Sequence, residues 1–123
     1  MKKFLLMATM LLIFGAVNAQ IAEVKQDGSR AKIYNDQGSY TGKYMDLVSG
    51  AYVSGYNSKY IVVTEGSRVK IYDSNGSYIG KYIDLSSGSS VKNVSATTIL
   101  IKEGSRTKYY DFNGSYTGKY TDN

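Results

Sequence analysis

GSRAKIYNDQGSYTGKYMDL, residues 28–47, is answered by GSRVKIYDSNGSYIGKYIDL, residues 66–85, and again by GSRTKYYDFNGSYTGKYTDN, residues 104–123. The blocks open at Gly28, Gly66 and Gly104, a constant spacing of 38 residues. Such a period marks a tandem repeat and sets the architecture before any single residue is read.

The middle copy, residues 60–97, shows what one unit contains. Tyr60 to Glu65 is rich in β-branched residues and reads as a strand. Arg68 to Asp73 is a second strand, Ser77 to Leu85 a third, and Ser90 to Ser95 a weaker fourth, each bounded by a Gly- or Ser-rich turn. No segment sustains a helical apolar period and no proline interrupts a strand. The expected fold is therefore all-β: an antiparallel β-meander of about eleven short strands, open or curled.

The turns Asp73-Ser-Asn-Gly76 and Asp111-Phe-Asn-Gly114 carry Asp first, Asn third and Gly fourth. That order suits a type I turn followed by a left-handed glycine, a G1 bulge. The register then sets Asp73 opposite Ser77 and Tyr72 opposite Tyr78. It gathers Val69, Ile71, Ile79 and Ile83 on one face and Arg68, Lys70, Tyr72, Tyr78, Gly80 and Tyr82 on the other. A plain two-residue loop would slip the pairing by one and mix the faces.

Comparing the copies separates the two faces. On the apolar side, Ala31, Ile33, Thr41 and Met45 become Val69, Ile71, Ile79 and Ile83, then Thr107, Tyr109, Thr117 and Thr121. On the other side Arg30, Lys32, Tyr34, Tyr40, Gly42 and Tyr44 recur unchanged as Arg68, Lys70, Tyr72, Tyr78, Gly80 and Tyr82. They recur again as Arg106, Lys108, Tyr110, Tyr116, Gly118 and Tyr120. Two readings stand side by side. One is a structural ladder of cross-strand tyrosines and cation–π contacts. The other is a repeated aromatic-cationic strip that binds a ligand or partner.

Outside the repeats, Lys2 and Lys3 precede an apolar run from Phe4 to Ala16, and Val17-Asn-Ala19 offers small residues at a cleavage position. This is the pattern of a secretory signal peptide over residues 1–19, with Gln20 as the mature start and an exported product, periplasmic, surface-associated or extracellular. Nothing later in the chain is apolar enough to expect a membrane-spanning helix. Residues 20–123 are expected to form one β-repeat domain, with repeats at about 22–59, 60–97 and 98–123, the last of them truncated. Cysteine is absent, so no disulfide supports the fold. The formal charge of +5 includes Lys2 and Lys3, and what remains is too small to argue for nucleic acid. All 13 tyrosines lie beyond residue 19, and Phe112 is the only Phe there. Tyr suits half-wet surfaces, where the ring packs and the hydroxyl stays solvated.

Four short strands in about 40 residues resemble a β-propeller blade. The Tyr-Asp-x-Asn-Gly hairpin is also similar to the YD-type repeats of large secreted bacterial proteins. The resemblance implies blade-like units in an exported protein. A propeller needs at least about four blades to close, which leaves three outcomes. Subunits complete one ring, the meander curls into a small barrel or bent sheet, or an open sheet keeps exposed edges at Ile21–Gln26 and Ser115–Thr121.

The composition argues against catalysis. Histidine and cysteine are absent, and with them the commonest general bases and thiolate nucleophiles. Acids such as Asp46, Asp84 and Asp122 recur at one repeat position, whereas active sites are usually single. Asp73-x-Asn-Gly76 is a fragment of a calcium loop without its further acidic ligands, and zinc or copper would lack His and Cys. No cofactor is expected. The expectation is an exported, non-catalytic binding or structural protein, an accessory subunit or interaction module in a bacterial cell-envelope or extracellular assembly. Its partner would be another envelope or surface protein, or a further copy met through sheet edges. The alternative is a lectin-like binder of anionic glycans using the same Tyr/Arg/Lys strip.

Overall fold

Alternation of side chains along each strand sends Val69 and Ile71 to one side of a hairpin and Arg68 and Lys70 to the other. Each side then needs its own cover. The computed structural model describes residues 20–123, and the leader expected at residues 1–19 lies outside the described residues. The strands are β1 (Glu23–Asp27), β2 (Arg30–Tyr34), β3 (Tyr40–Asp46), β4 (Tyr52–Tyr56), β5 (Ile61–Glu65) and β6 (Arg68–Tyr72). They continue as β7 (Tyr78–Asp84), β8 (Ser90–Val94), β9 (Ile99–Glu103), β10 (Arg106–Tyr110) and β11 (Tyr116–Asp122), with no helix among the described residues. The eleven-strand antiparallel meander read from the sequence is the fold that forms.

The meander is divided into three open sheets, β1-β2-β3, β4-β5-β6-β7 and β8-β9-β10-β11. The fourth strand of each sequence repeat therefore opens the sheet of the next repeat: β4 pairs with β5, and β8 with β9. The third sheet has four strands, and it is the first that has three among the described residues. Edges consequently occur at every sheet, β1 and β11 among them, and not only at the two ends of one continuous sheet.

The expected turn register is present. Tyr72 lies opposite Tyr78, and the Asp73 N–H donates to the Ser77 carbonyl at 2.9 Å. Gly76 takes φ 81°. The Asp73 carboxylate accepts from the N–H groups of Asn75 at 2.9 Å and Ser77 at 3.0 Å. Asn35 and Asp111 do the same in their own copies. These bonds explain why Asp or Asn opens the turn. A second irregularity follows, because Ile71 lies opposite Lys81 and Ile79-Gly80 is extra on β7. A slip of two residues preserves the side-chain alternation, so both faces keep their expected members.

The sheets stack face to face over two cores. In the first, Ala31, Ile33, Met45 and Leu47 meet Ile61 and Val63 of the second sheet. In the second, Val62, Val69, Ile71 and Ile83 meet Ile99 and Ile101 of the third. Each fully buried Val or Ile contributes about 1.5–3 kcal/mol, against about 0–1 for an exposed ion pair. Apolar burial is thus what holds the sheets together. Polar links set their alignment. The Gln26 carboxamide accepts from the Val53 N–H at 2.9 Å and donates to the Ala51 carbonyl at 3.3 Å. Asn57 Nδ2 donates to the Ser95 carbonyl at 3.0 Å. Tyr60 stacks on Phe112 with ring centroids 4.6 Å apart.

Candidate functional site: a tyrosine-arginine rim

The unchanged side chains of each copy fall into two groups by depth. Tyr34, Tyr72 and Tyr110, at the ends of β2, β6 and β10, are half-buried. Tyr72 packs on the first core and Tyr110 on the second. Burial raises the phenol pKa of both, partly offset by the neighbouring lysines Lys70 and Lys108. Tyr40, Tyr44, Tyr78, Tyr82, Tyr116 and Tyr120 lie on the outer strands and are exposed, all between 41 and 44 %. They form the rim.

Each rim unit is built the same way. Arg30, Arg68 and Arg106 lie over the rings of Tyr44, Tyr82 and Tyr120 at 4.0, 3.9 and 4.1 Å from the centroids. Lys32, Lys70 and Lys108 approach Tyr40, Tyr78 and Tyr116 at 5.6, 5.3 and 5.3 Å. The cross-strand pairs Tyr34–Tyr40, Tyr72–Tyr78 and Tyr110–Tyr116 hold their rings 5.8, 5.6 and 5.5 Å apart, tilted. The structure thus brings all fifteen candidate side chains into three equivalent clusters, five to a sheet.

Acidic partners complete the clusters; from the sequence Asp46, Asp84 and Asp122 stood out only as recurring at one repeat position. Arg30 Nε stands 2.9 Å from Asp46, Arg68 Nε 2.9 Å from Asp84, and Arg106 Nε 3.8 Å from Asp122. The hydrogen bonds from Arg30 and Arg68 raise the pKa of each guanidinium above its ordinary value. Lys70 pairs with Glu65 at 3.2 Å, and Lys108 with Glu103 at closer range. The Lys108 bond, together with one from the Ser86 hydroxyl, holds Glu103 below the usual carboxylate range. The constant sixteen-residue step from Arg to Asp in every copy was the signal available for these pairs. The rim is therefore aromatic, dense in hydrogen-bonding groups and close to charge-neutral.

The outer edges beside the rim are poor templates for another strand. Gly42, Gly80 and Gly118 take φ 84°, 81° and 89° at the bulges of β3, β7 and β11, and Lys43, Lys81 and Lys119 follow them. A bulge plus a lysine blunts an edge. No protein-family model matches the chain, and no curated protein matches it.

Proposed function

We propose that this chain is an exported, non-catalytic binding and structural repeat protein, an interaction module or accessory subunit of a bacterial cell-envelope or extracellular assembly, with the tyrosine-arginine rim as its contact surface. The observation that carries the reading is the threefold repetition of one exposed cluster, with the same residues at nearly the same cation–π distances, while buried positions vary, Ala31 and Met45 in the first copy against Val69 and Ile83 in the second. An exposed cation–π contact is worth about 0.5–1 kcal/mol and an exposed ion pair about 0–1. Those sums are small beside the apolar cores, so stability alone gives weak reason to keep the rim identical. Tyr and Arg are the residue types that dominate protein contact hot spots.

A protein partner suits the rim better than a polyanion, because Arg30 and Arg68 already carry Asp46 and Asp84. The glycan alternative has one feature in its favour: Arg106 sits 3.8 Å from Asp122 and is the most loosely paired of the three. In vivo crosslinking of unaltered protein and of a Tyr78→Ala/Tyr82→Ala variant separates the two. The interaction reading expects a defined protein adduct that the variant loses while remaining folded. A monomer without adducts, together with graded loss of acidic-glycan binding as rim tyrosines are removed, would refute it in favour of the lectin.

A further inference from the structure

The first and third sheets depart from the middle sheet at the positions through which sheets touch. Ile61 and Val63 in β5, and Ile99 and Ile101 in β9, are buried against the preceding sheet. Their counterparts 38 residues earlier, in β1, are Glu23 and Lys25, both exposed. On the opposite side, Val69, Ile71 and Ile83 are buried against the following sheet. Their counterparts in the third sheet are Thr107, Tyr109 and Thr121. Among the described residues no neighbouring sheet lies against these two end faces, on opposite sides of the stack, and polar side chains stand there; Thr107 is nonetheless fully buried.

Local contacts take over the cover that a neighbour gives elsewhere. Tyr72 and Tyr110 are covered by the preceding sheet; Tyr34 instead has Lys25 Nζ 5.0 Å from its ring centroid. Ile71 is covered by the third sheet; Tyr109 instead has Lys119 Nζ at 4.7 Å. Among the described residues these two cation–π contacts have no counterpart in the other copies, whereas every other one recurs in all three. Thr107 donates to Asn123 Oδ1 at 2.6 Å, where the middle copy has Val69 and Leu85. The hairpin tips agree. Side chains added at Gly76 and Gly114 would strike the preceding sheet, whereas one at Gly38 would meet nothing within 4 Å.

We propose that Glu23 and Lys25 at one end, and Thr107, Tyr109, Lys119 and Thr121 at the other, are end caps that close the stack to face-to-face addition of another sheet. Both end faces of the stack are then closed: they neither complete a ring with a second copy nor extend into a filament, and the rim is left open to partners. Repeat proteins require polar terminal faces for this same reason, since an uncapped unit presents the apolar surface its neighbours use for packing. The inference stands whether or not the rim binds anything.

The test is the mass in solution of the exported chain, by light scattering over a wide concentration range, beside two opened variants. One carries Glu23→Ile and Lys25→Val, and the other Lys119→Ala and Thr121→Ile. The caps predict a single-chain mass for the unaltered protein and at least twice that mass when the two variants are mixed. Circular dichroism establishes that each variant is folded. Folded variants that stay monomeric in the mixture overturn the proposal. So does an oligomer of the unaltered protein that Thr121→Lys or Lys25→Glu dissociates, a comparison that needs neither opened variant to fold.

Discussion

A methyl group built on Gly114 would stand 2.3 Å from the carbonyl oxygen of Tyr82, one sheet away. The same construction at Gly76 reaches the Tyr44 carbonyl oxygen at 2.7 Å. Each Asp-x-Asn-Gly tip therefore rests on the outermost strand of the preceding sheet. The glycine serves twice, for its left-handed backbone and for its missing side chain. The hairpin turn and the sheet-to-sheet contact are the same few atoms, so local turn chemistry sets the spacing of the stack.

Three glycine-to-alanine changes at one repeat position should consequently differ in cost. Gly38→Ala carries only the strain of a left-handed residue, about 1–2 kcal/mol. Gly76→Ala and Gly114→Ala add a backbone overlap, typically about 1–3 kcal/mol more. Urea unfolding of the three variants checks the order, with Gly114→Ala the least stable. Equal losses at Gly38 and Gly114 would contradict tip docking.

The two cores predict an equally uneven response to truncation. Ile71→Ala and Ile99→Ala remove side chains buried between sheets and should each cost about 2–5 kcal/mol. Thr121→Ala, at the position that matches buried Ile83, should change stability by no more than about 0.5 kcal/mol, because its face meets no sheet among the described residues. Thermal unfolding measures both. A loss at Thr121 as large as that at Ile71 would mean that something covers the third sheet.

The sequence made some of this legible and concealed the rest for definite reasons. Asp73-Ser-Asn-Gly76 announces its own turn, because the Asp carboxylate and the glycine backbone act locally. Face membership followed from alternation. The second bulge at Ile79-Gly80 left no trace in the pattern, since a two-residue slip returns each side chain to the same side. The sheet boundaries were hidden too: a repeat has no intrinsic starting point, and only pairing shows that Ser90–Val94 opens the third sheet. In the rim, Arg68, Lys70, Tyr78 and Tyr82 were identifiable as a group by their exact recurrence. Asp84 was visible as a recurring acid, but not as the partner of Arg68, because that pairing requires the shifted register that sets the two opposite each other.

Alkaline titration should separate the tyrosines by depth. Burial raises the pKa of Tyr72 and Tyr110, so folding favours their protonated forms. Stability from these groups is complete below the unfolded value, about 10, and is lost as pH rises through the higher folded value. The absorbance of phenolate should therefore show a late fraction that disappears in Tyr72→Phe/Tyr110→Phe. A late fraction that persists in that double variant would show that burial of Tyr72 and Tyr110 is not its cause.

The rim's energetics decide how its repetition is to be understood. Arg68 faces both the Asp84 carboxylate at 2.9 Å and the Tyr82 ring at 3.9 Å, and all three groups are exposed to solvent. Double-mutant cycles for Arg68 with Asp84, and for Arg68 with Tyr82, should each give a coupling far smaller than the loss on truncating Ile71. The Asp84 coupling should shrink as salt is raised. Couplings of that size leave the fold resting on Val69, Ile71 and Ile83, and the identical rims then need a cause outside the chain. Couplings as large as a core truncation in every copy would make the rim a structural ladder, and the case for it as a contact surface would lose its footing.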